Sequence, residues 1–121
     1  MEPYRKKYFE YFGFKFPKKW QIHHIDHDRE NDDIGNLIAL PDFLHRSYHF
    51  YESFYKGNEM WRLSMIGKFN YESGLKALKT MQLISYCSKK LKDFEINGCH
   101  NPKLELEIIY QHCKKEFENI I

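Results

Sequence analysis

The sequence predicts one α+β domain that is mainly helical. Two short stretches with the composition of β-strands flank a polar segment in the first third of the chain, and helical apolar patterns occupy most of the rest. A length of 121 residues suits a single domain with a modest core, and an aromatic content of 17% indicates that Tyr and Phe supply much of that core. We therefore expect residues 1–121 to fold as one domain.

The two strands and the helix after them are predicted in one continuous segment. Residues 20–25 have the alternation and β-branched content of a short strand. The polar run that follows them ends in Gly35, a composition typical of turns. Residues 36–40 form a second short strand. Pro41-Asp42 then ends that strand and begins a helix with recurring aromatic positions. The predicted order is strand, loop, strand, helix.

The C-terminal extension, about residues 59–121, is predicted to be helical. A short helix is expected at 59–69, and apolar residues at three- and four-residue steps predict a helix of about 20 residues after it. The apolar positions of this longer helix are Leu75, Leu78, Met81, Ile84, Cys87, Leu91 and Phe94. A turn at Asn97-Gly98 and Asn101-Pro102 precedes a last amphipathic helix, with apolar residues at Leu104, Ile108, Ile109, Cys113, Phe117 and Ile120. We interpret both stripes as supporting core, with a dimer face as the alternative.

Histidines are concentrated in the strand, loop, strand, helix segment. Five of the chain's seven histidines lie there: His23, His24, His27, His45 and His49. Imidazole is a common transition-metal ligand and titrates near neutrality, so this cluster suits metal binding combined with proton transfer. Neighbouring residues on a strand point to opposite faces, so His23 and His24 can have different roles. His45 and His49 are one helical turn apart on one face, within reach of a single ion.

Three short motifs occur in a characteristic order. They are Ile22-His23-His24-Ile25-Asp26, then Asn36-Leu37-Ile38, then His45 with His49. This order resembles the HNH (His-Me finger) endonucleases, most of all the small enzymes of phages and mobile elements. Over about residues 17–56 the resemblance implies a ββα-metal finger, with the remaining helices as additional support.

The resemblance implies a role for each residue of these motifs. His24 would be the general base that deprotonates a water, and Asn36 the central Asn that holds the loop so that the base is oriented. The second ring nitrogen of His24 would be held by a carbonyl or a side chain, with the backbone carbonyl of Asn36 or a neighbour as the natural holder. His23, His45 and His49 would be the metal ligands.

The implied activity is hydrolysis of DNA phosphodiester bonds with one divalent metal ion at the scissile phosphate, leaving a 5′-phosphate and a 3′-hydroxyl. Many family members carry Asp where this chain has His23. The ligand set is therefore all imidazole, so Zn, Ni, Co or Mn is expected to bind as well as Mg or better.

Basic residues outside the histidine cluster are candidates for contacts with DNA phosphates. They are Arg29, Arg46, Lys15, Lys18 and Lys19. Residues 1–20 hold six Lys or Arg against two acids, so this basic arm could follow a phosphate backbone. Solvated lysines around an aromatic core strip at residues 8–16 are the alternative, and a net charge of +2 gives no independent proof of DNA binding.

The three cysteines, without a Cys-x-x-Cys motif, fit reduced thiols. Cys99-His100 with His112-Cys113 is a weak alternative metal site, because neighbours on a helix do not face the same way. The sequence shows neither a membrane-spanning apolar stretch nor a secretory h-region, so we expect a cytoplasmic protein, in a host cell if phage-encoded, with no membrane partner.

Two other functions remain open. The finger could be the nuclease toxin domain of a bacterial competition system, which would imply an immunity partner, although Met1 and the lack of a delivery segment argue against it. It could also be a catalytically silent DNA-binding module, although the presence of His24 argues against a purely structural metal site. Monomer and homodimer are both compatible with the sequence.

Overall fold

The computed structural model describes residues 2–55 and 71–119. Its elements are α1 (Pro3–Phe12), β1 (Trp20–His24), a short 3-10 turn (Ile34–Asn36), β2 (Leu37–Pro41), α2 (Asp42–Tyr55), α3 (Tyr71–Asn97) and α4 (Pro102–Glu118). The predicted α+β, mainly helical class is confirmed, as is the order strand, loop, strand, helix. The helix predicted at 59–69 lies outside the described residues.

β1 and β2 form an antiparallel pair joined by the loop of residues 25–36. The register places Trp20 opposite Pro41 and His24 opposite Leu37, so the loop begins and ends at the His24 end of the pair. Both strands are buried at nearly every position. They are covered because α2 packs against both strands and because Tyr8 of α1 reaches β2, where its hydroxyl accepts the Ala39 N–H at 3.1 Å.

The helix α1 is an element that the sequence analysis did not predict. Pro3 stands in its first turn. Gly13 ends the helix in the left-handed region at φ 82°, where glycine avoids the steric cost of a Cβ. Tyr8 and Phe9 are buried, and they pack with Phe16 and Trp20 in an aromatic cluster. Burial raises the pKa of Tyr8, so its hydroxyl stays protonated. The aromatic strip of the basic arm is therefore core.

Contacts with α3 and α4 fix the position of α2. Near its start, the Tyr110 hydroxyl donates to Asp42 Oδ1 at 2.9 Å. One turn further on, the hydroxyls of Ser47 and Thr80 lie 2.8 Å apart, and Thr80 is 1% exposed. Because a hydroxyl pair with one buried member tolerates little displacement, these bonds help to fix α2 over the strands.

The helices α3 and α4 pack together, and the predicted apolar faces are confirmed in part. Leu78 and Met81 of α3, and Leu104 and Ile108 of α4, are more than half exposed. The predicted positions Cys87, Leu91, Ile109 and Cys113 are buried. The buried faces also include residues that were not predicted: Thr80, Leu83, Leu106 and Tyr110. The predicted turn is confirmed, with Gly98 at φ 76° and the Asn101 side chain accepting the Leu104 N–H at 3.3 Å. Within the described ranges, the helices all lack the combined length and apolarity needed to span a bilayer.

Candidate metal and nuclease site

Three imidazoles converge between β1 and α2. His23 Nδ1 lies 3.2 Å from His45 Nε2, and His49 Nε2 lies 2.9 Å from the same atom. The three ligand atoms all lie within 4.8 Å of one another. A tetrahedral ion with metal–nitrogen bonds of ~2.0–2.1 Å separates its ligands by about 3.3 Å, so this spacing fits a single transition-metal ion. The cluster contains all three of the sequence-predicted ligands.

Gln21 holds the central imidazole of this cluster. Its Oε1 lies 2.6 Å from His45 Nδ1, and because an amide oxygen only accepts, the Nδ1–H donates and Nε2 carries the lone pair. Burial, and secondarily the charge of His49, lowers the pKa of His45 to about 4. His45 is therefore neutral at pH 7, the form that binds a metal. The sequence analysis missed Gln21, although it lies two residues before His23 and thus on the same face of β1.

The fold brings the two halves of the cluster together through a short connection. β2 runs antiparallel to β1, and α2 begins at Asp42 directly after β2, so the helix returns over β1. The Asp42 N–H donates to the Lys19 carbonyl at 2.8 Å, which ties the start of α2 to the residue before β1. One turn of α2 then presents His45 and His49 to His23.

His24 has separate contacts from those of His23. Its ring packs edge-on against Tyr4 of α1, with centroids 4.8 Å apart, and it is 8% exposed. Its Nε2 lies 2.9 Å from Asp32 Oδ1 in the loop. The expected holder, the Asn36 carbonyl, instead accepts the Ile25 N–H at 2.8 Å. The sequence analysis missed Asp32, which stands in a polar run that it interpreted only as turn chemistry.

Asn36 holds the loop between the strands. Its side-chain Oδ1 accepts the Asp26 N–H at 3.0 Å, and its Nδ2 donates to Asp26 Oδ1 at 2.9 Å and to the Asn31 carbonyl at 2.8 Å. Hydrogen bonds from Asn31, Asp28 and Asn36, in that order, lower the pKa of the Asp26 carboxyl. Asp26 is thus a carboxylate that organises the loop.

His27 lies at the edge of the histidine cluster. It has φ 67°, an uncommon conformation for a residue with a Cβ. Its Nε2 lies 3.5 Å from the Tyr48 hydroxyl, and its ring centroid is 5.6 Å from that of His23 and 5.9 Å from that of His49. His27 therefore contributes to the wall of the site.

An open cavity of about 570 Å³ lies over the cluster. Its lining residues are Glu2, Tyr4, Ile22, His23, His24, His27, Arg29, His45 and His49. A second cavity of about 360 Å³ shares Glu2, Tyr4, Ile22 and His45 with the first and adds Arg5, Lys18 and Gln21. Because both cavities include His45 in their lining, they adjoin at the histidine cluster, and together they are called the groove.

The predicted phosphate contacts occupy different parts of the surface. Arg29 lines the first cavity and Lys18 the second. Lys15 borders another depression beside Gly13, and Arg46 is exposed on α2. Lys19 is paired with Glu107 of α4 and lies 4.3 Å over the Tyr110 ring. The structure thus brings two of the five basic residues to the groove.

The alternative zinc site of the C-terminal helices is not formed in the described part of the chain. Cys113 is buried against Cys87 with sulfurs 3.6 Å apart, and the exposed His112 packs on the Tyr86 ring. Cys99 hydrogen-bonds to Glu105. Across residues 2–55 and 71–119, the three-histidine cluster is the one group of potential ligands close enough to share an ion.

Residues 8–43 match the family model described as HNH endonuclease. This segment includes His23, His24 and Asn36 and ends shortly before His45. Searches of curated proteins and of solved structures gave no match. The match suggests a nuclease, and the matched segment contains both strands and the start of α2. Over this segment the chain is similar to the HNH endonuclease family.

Proposed function

We propose that the protein is a metal-dependent endonuclease that hydrolyses DNA phosphodiester bonds, with His24 as the general base and His23, His45 and His49 as the metal ligands. The observation that carries the proposal is the convergence of three ring nitrogens within 4.8 Å beside a fourth, separately held imidazole. A purely structural metal site needs no such additional imidazole at its edge.

The chemistry requires charge stabilisation and proton transfer at one phosphate. A divalent ion held by the three histidines would stabilise the negative charge of the attacked phosphate and of the leaving oxygen. His24 lines the same cavity and, as a neutral imidazole, takes the proton of the attacking water. The ring of Tyr4 against His24 limits its movement. The all-imidazole ligand set favours Zn, Ni, Co or Mn over Mg.

The groove favours a nucleic-acid strand held through its phosphates. Arg29 lines one of its two adjoining cavities and Lys18 the other, and His45 lines both. Guanidinium and ammonium groups bind phosphates without reading the bases, so we propose that these two residues position the DNA rather than select a sequence. Lys19 contributes less, because Glu107 already neutralises its charge.

A plasmid-cleavage assay with a series of divalent metals tests the proposal. The parent is expected to cut supercoiled DNA with at least one of Zn, Ni, Co, Mn or Mg, and His24→Ala to lose at least ~10²-fold of the rate. Calorimetry should show metal affinity in His24→Ala within a few-fold of the parent. His100→Ala, at an exposed histidine in the turn after α3, is the matched control and should cut normally. Full activity in His24→Ala would contradict the assignment of the base.

A further inference from the structure

The hydrogen bond between His24 and Asp32 determines which ring nitrogen carries the proton. Asp32 Oδ1 lies 2.9 Å from His24 Nε2, and a carboxylate only accepts, so the proton resides on Nε2. Among the described residues, Nδ1 of His24 has no hydrogen-bond partner, and the ring lines the cavity over the metal cluster. The nitrogen with the lone pair is therefore the one left to accept a proton from water.

The backbone on both sides of Asp32 is held by one residue. Asn36 Nδ2 donates to the carbonyl of Asn31, and the Asn36 N–H donates to the carbonyl of Asp33, each at 2.8 Å. The Asn36 carbonyl in turn accepts the N–H of Ile25, the residue after His24. Asn36 thus connects the carboxylate of Asp32 to the strand that carries the imidazole, which allows little independent movement of either group.

From this geometry we propose that Asp32 is a positioning residue for His24. It holds the imidazole in the Nε2–H tautomer and in one orientation, so that the Nδ1 lone pair is available to the attacking water. Asn36 acts on His24 through Asp32, by holding both carbonyls that flank the carboxylate. The inference rests on the proposed function, because it assumes that His24 is the general base. A loop carboxylate thus holds the ring nitrogen of His24 that a backbone carbonyl was expected to hold.

The neighbouring residue Asp33 provides a matched control. It lies in the same loop and is exposed, and its side chain makes no capping hydrogen bond at the 3-10 turn that follows it. Replacing Asp33 by Ala therefore changes the charge of the loop by the same amount as Asp32→Ala without removing an acceptor from His24. Any difference between the two variants reports the hydrogen bond rather than the charge.

The first measurement is the tautomer of His24, read by nitrogen-15 NMR of the full-length protein at a pH where imidazoles are neutral, with His24→Gln used to identify the signals. The parent and Asp33→Ala should show a single Nε2–H tautomer with a slowly exchanging Nε2 proton. Asp32→Ala should show a mixture of tautomers and a rapidly exchanging proton. Asp32→Asn, which keeps the shape of the side chain, should change in the same direction and provides the test if the Ala variant does not fold.

The second measurement is DNA cleavage. Asp32→Ala should lower kcat by about 10–10²-fold, while KM and metal affinity stay within a few-fold of the parent. An unchanged tautomer and an unchanged kcat in Asp32→Ala would overturn the inference. The proposed function would still stand in that case, provided that His24→Ala is inactive. Absence of cleavage by the parent with every metal would instead contradict the proposed function, and the NMR result would still decide whether Asp32 sets the tautomer.

Discussion

The two sides of β1 hold adjacent histidines in different ways. His23 faces the imidazoles of α2, where the neutral amide of Gln21 holds the central ring. His24 faces Tyr4 and the loop, where the carboxylate of Asp32 holds it. A ligand gives a lone pair and keeps its other proton, so a neutral partner suffices, whereas a base must change its protonation in each cycle and depends on a fixed orientation. The difference between the two partners agrees with the two proposed roles.

The largest expected effect comes from the ligand side, the face of β1 where His23 meets His45 and His49. His23→Ala and His45→Ala should each lower metal affinity by more than ~10²-fold and abolish cleavage at low metal concentration, because each removes a direct ligand. Calorimetry and plasmid cleavage measure the two effects, and excess metal should partly restore cleavage. His112→Ala, an exposed histidine of α4, is the control and should behave as the parent.

His49 provides a sharper test of that side because it is the exposed member of the cluster. His49→Ala should also weaken metal binding, since its Nε2 lies 2.9 Å from the central nitrogen of His45. Parental affinity in this variant would remove His49 from the ligand set. His49 would then be assigned to phosphate contact or to packing on α2.

Removal of Gln21 should affect the ligand side alone. Gln21→Ala leaves His45 Nδ1 without its acceptor and should weaken metal binding by about 10–100-fold, the usual cost of losing a partner behind a ligand imidazole. The tautomer of His24 should remain that of the parent, since Gln21 has no bond to His24. Gln82→Ala, at an exposed position of α3, is the matched control. Equal metal affinity in both variants would show that the amide does not orient His45.

Removal of Asn36 should affect the base side, the face of β1 where His24 meets Asp32, with little change in metal affinity. Asn36→Ala removes three side-chain hydrogen bonds of the loop, which should lower the free energy of unfolding by about 1–3 kcal/mol and kcat by about tenfold. Urea unfolding and plasmid cleavage are the measurements. A large loss of metal affinity, with kcat restored at saturating metal, would show that the loop supports the ligands rather than the base.

The smallest effect is expected from the basic residues, measured as DNA binding in the inactive His24→Ala background. Lys18→Ala should reduce the slope of log affinity against log salt by up to about one unit, as expected for one lost phosphate contact. Lys19→Ala should leave the slope nearly unchanged, because Lys19 is already paired with Glu107. An equal reduction in both variants would contradict the proposed path of the DNA along the groove.

The elements that the sequence predicted correctly are those that short-range sequence patterns specify. The strands, the start of α2 at Asp42 and the turn at Gly98 depend on alternation, on a proline and on a left-handed glycine, all of which are visible within a few residues. The helix α1 carried a similar signal, since Tyr4, Tyr8 and Phe12 recur every four residues between Pro3 and Gly13, but the lysines of the segment directed the interpretation toward a basic arm.

The sequence by itself determined the strand, loop, strand, helix order, the opposite faces of His23 and His24 and the shared face of His45 and His49, because strand alternation and the four-residue helical step are short-range geometry. The resemblance to the HNH nucleases then grouped His23 with His45 and His49. The tertiary structure alone decided that Asp32 reaches His24, that Gln21 supports His45, that Tyr4 packs on His24 and how far the buried faces of α3 and α4 are rotated from the predicted ones. These contacts depend on how an irregular loop closes and how separate helices dock. A hydrophobic period specifies that a helix has a buried side, but the exact rotation follows from the partner that it packs against.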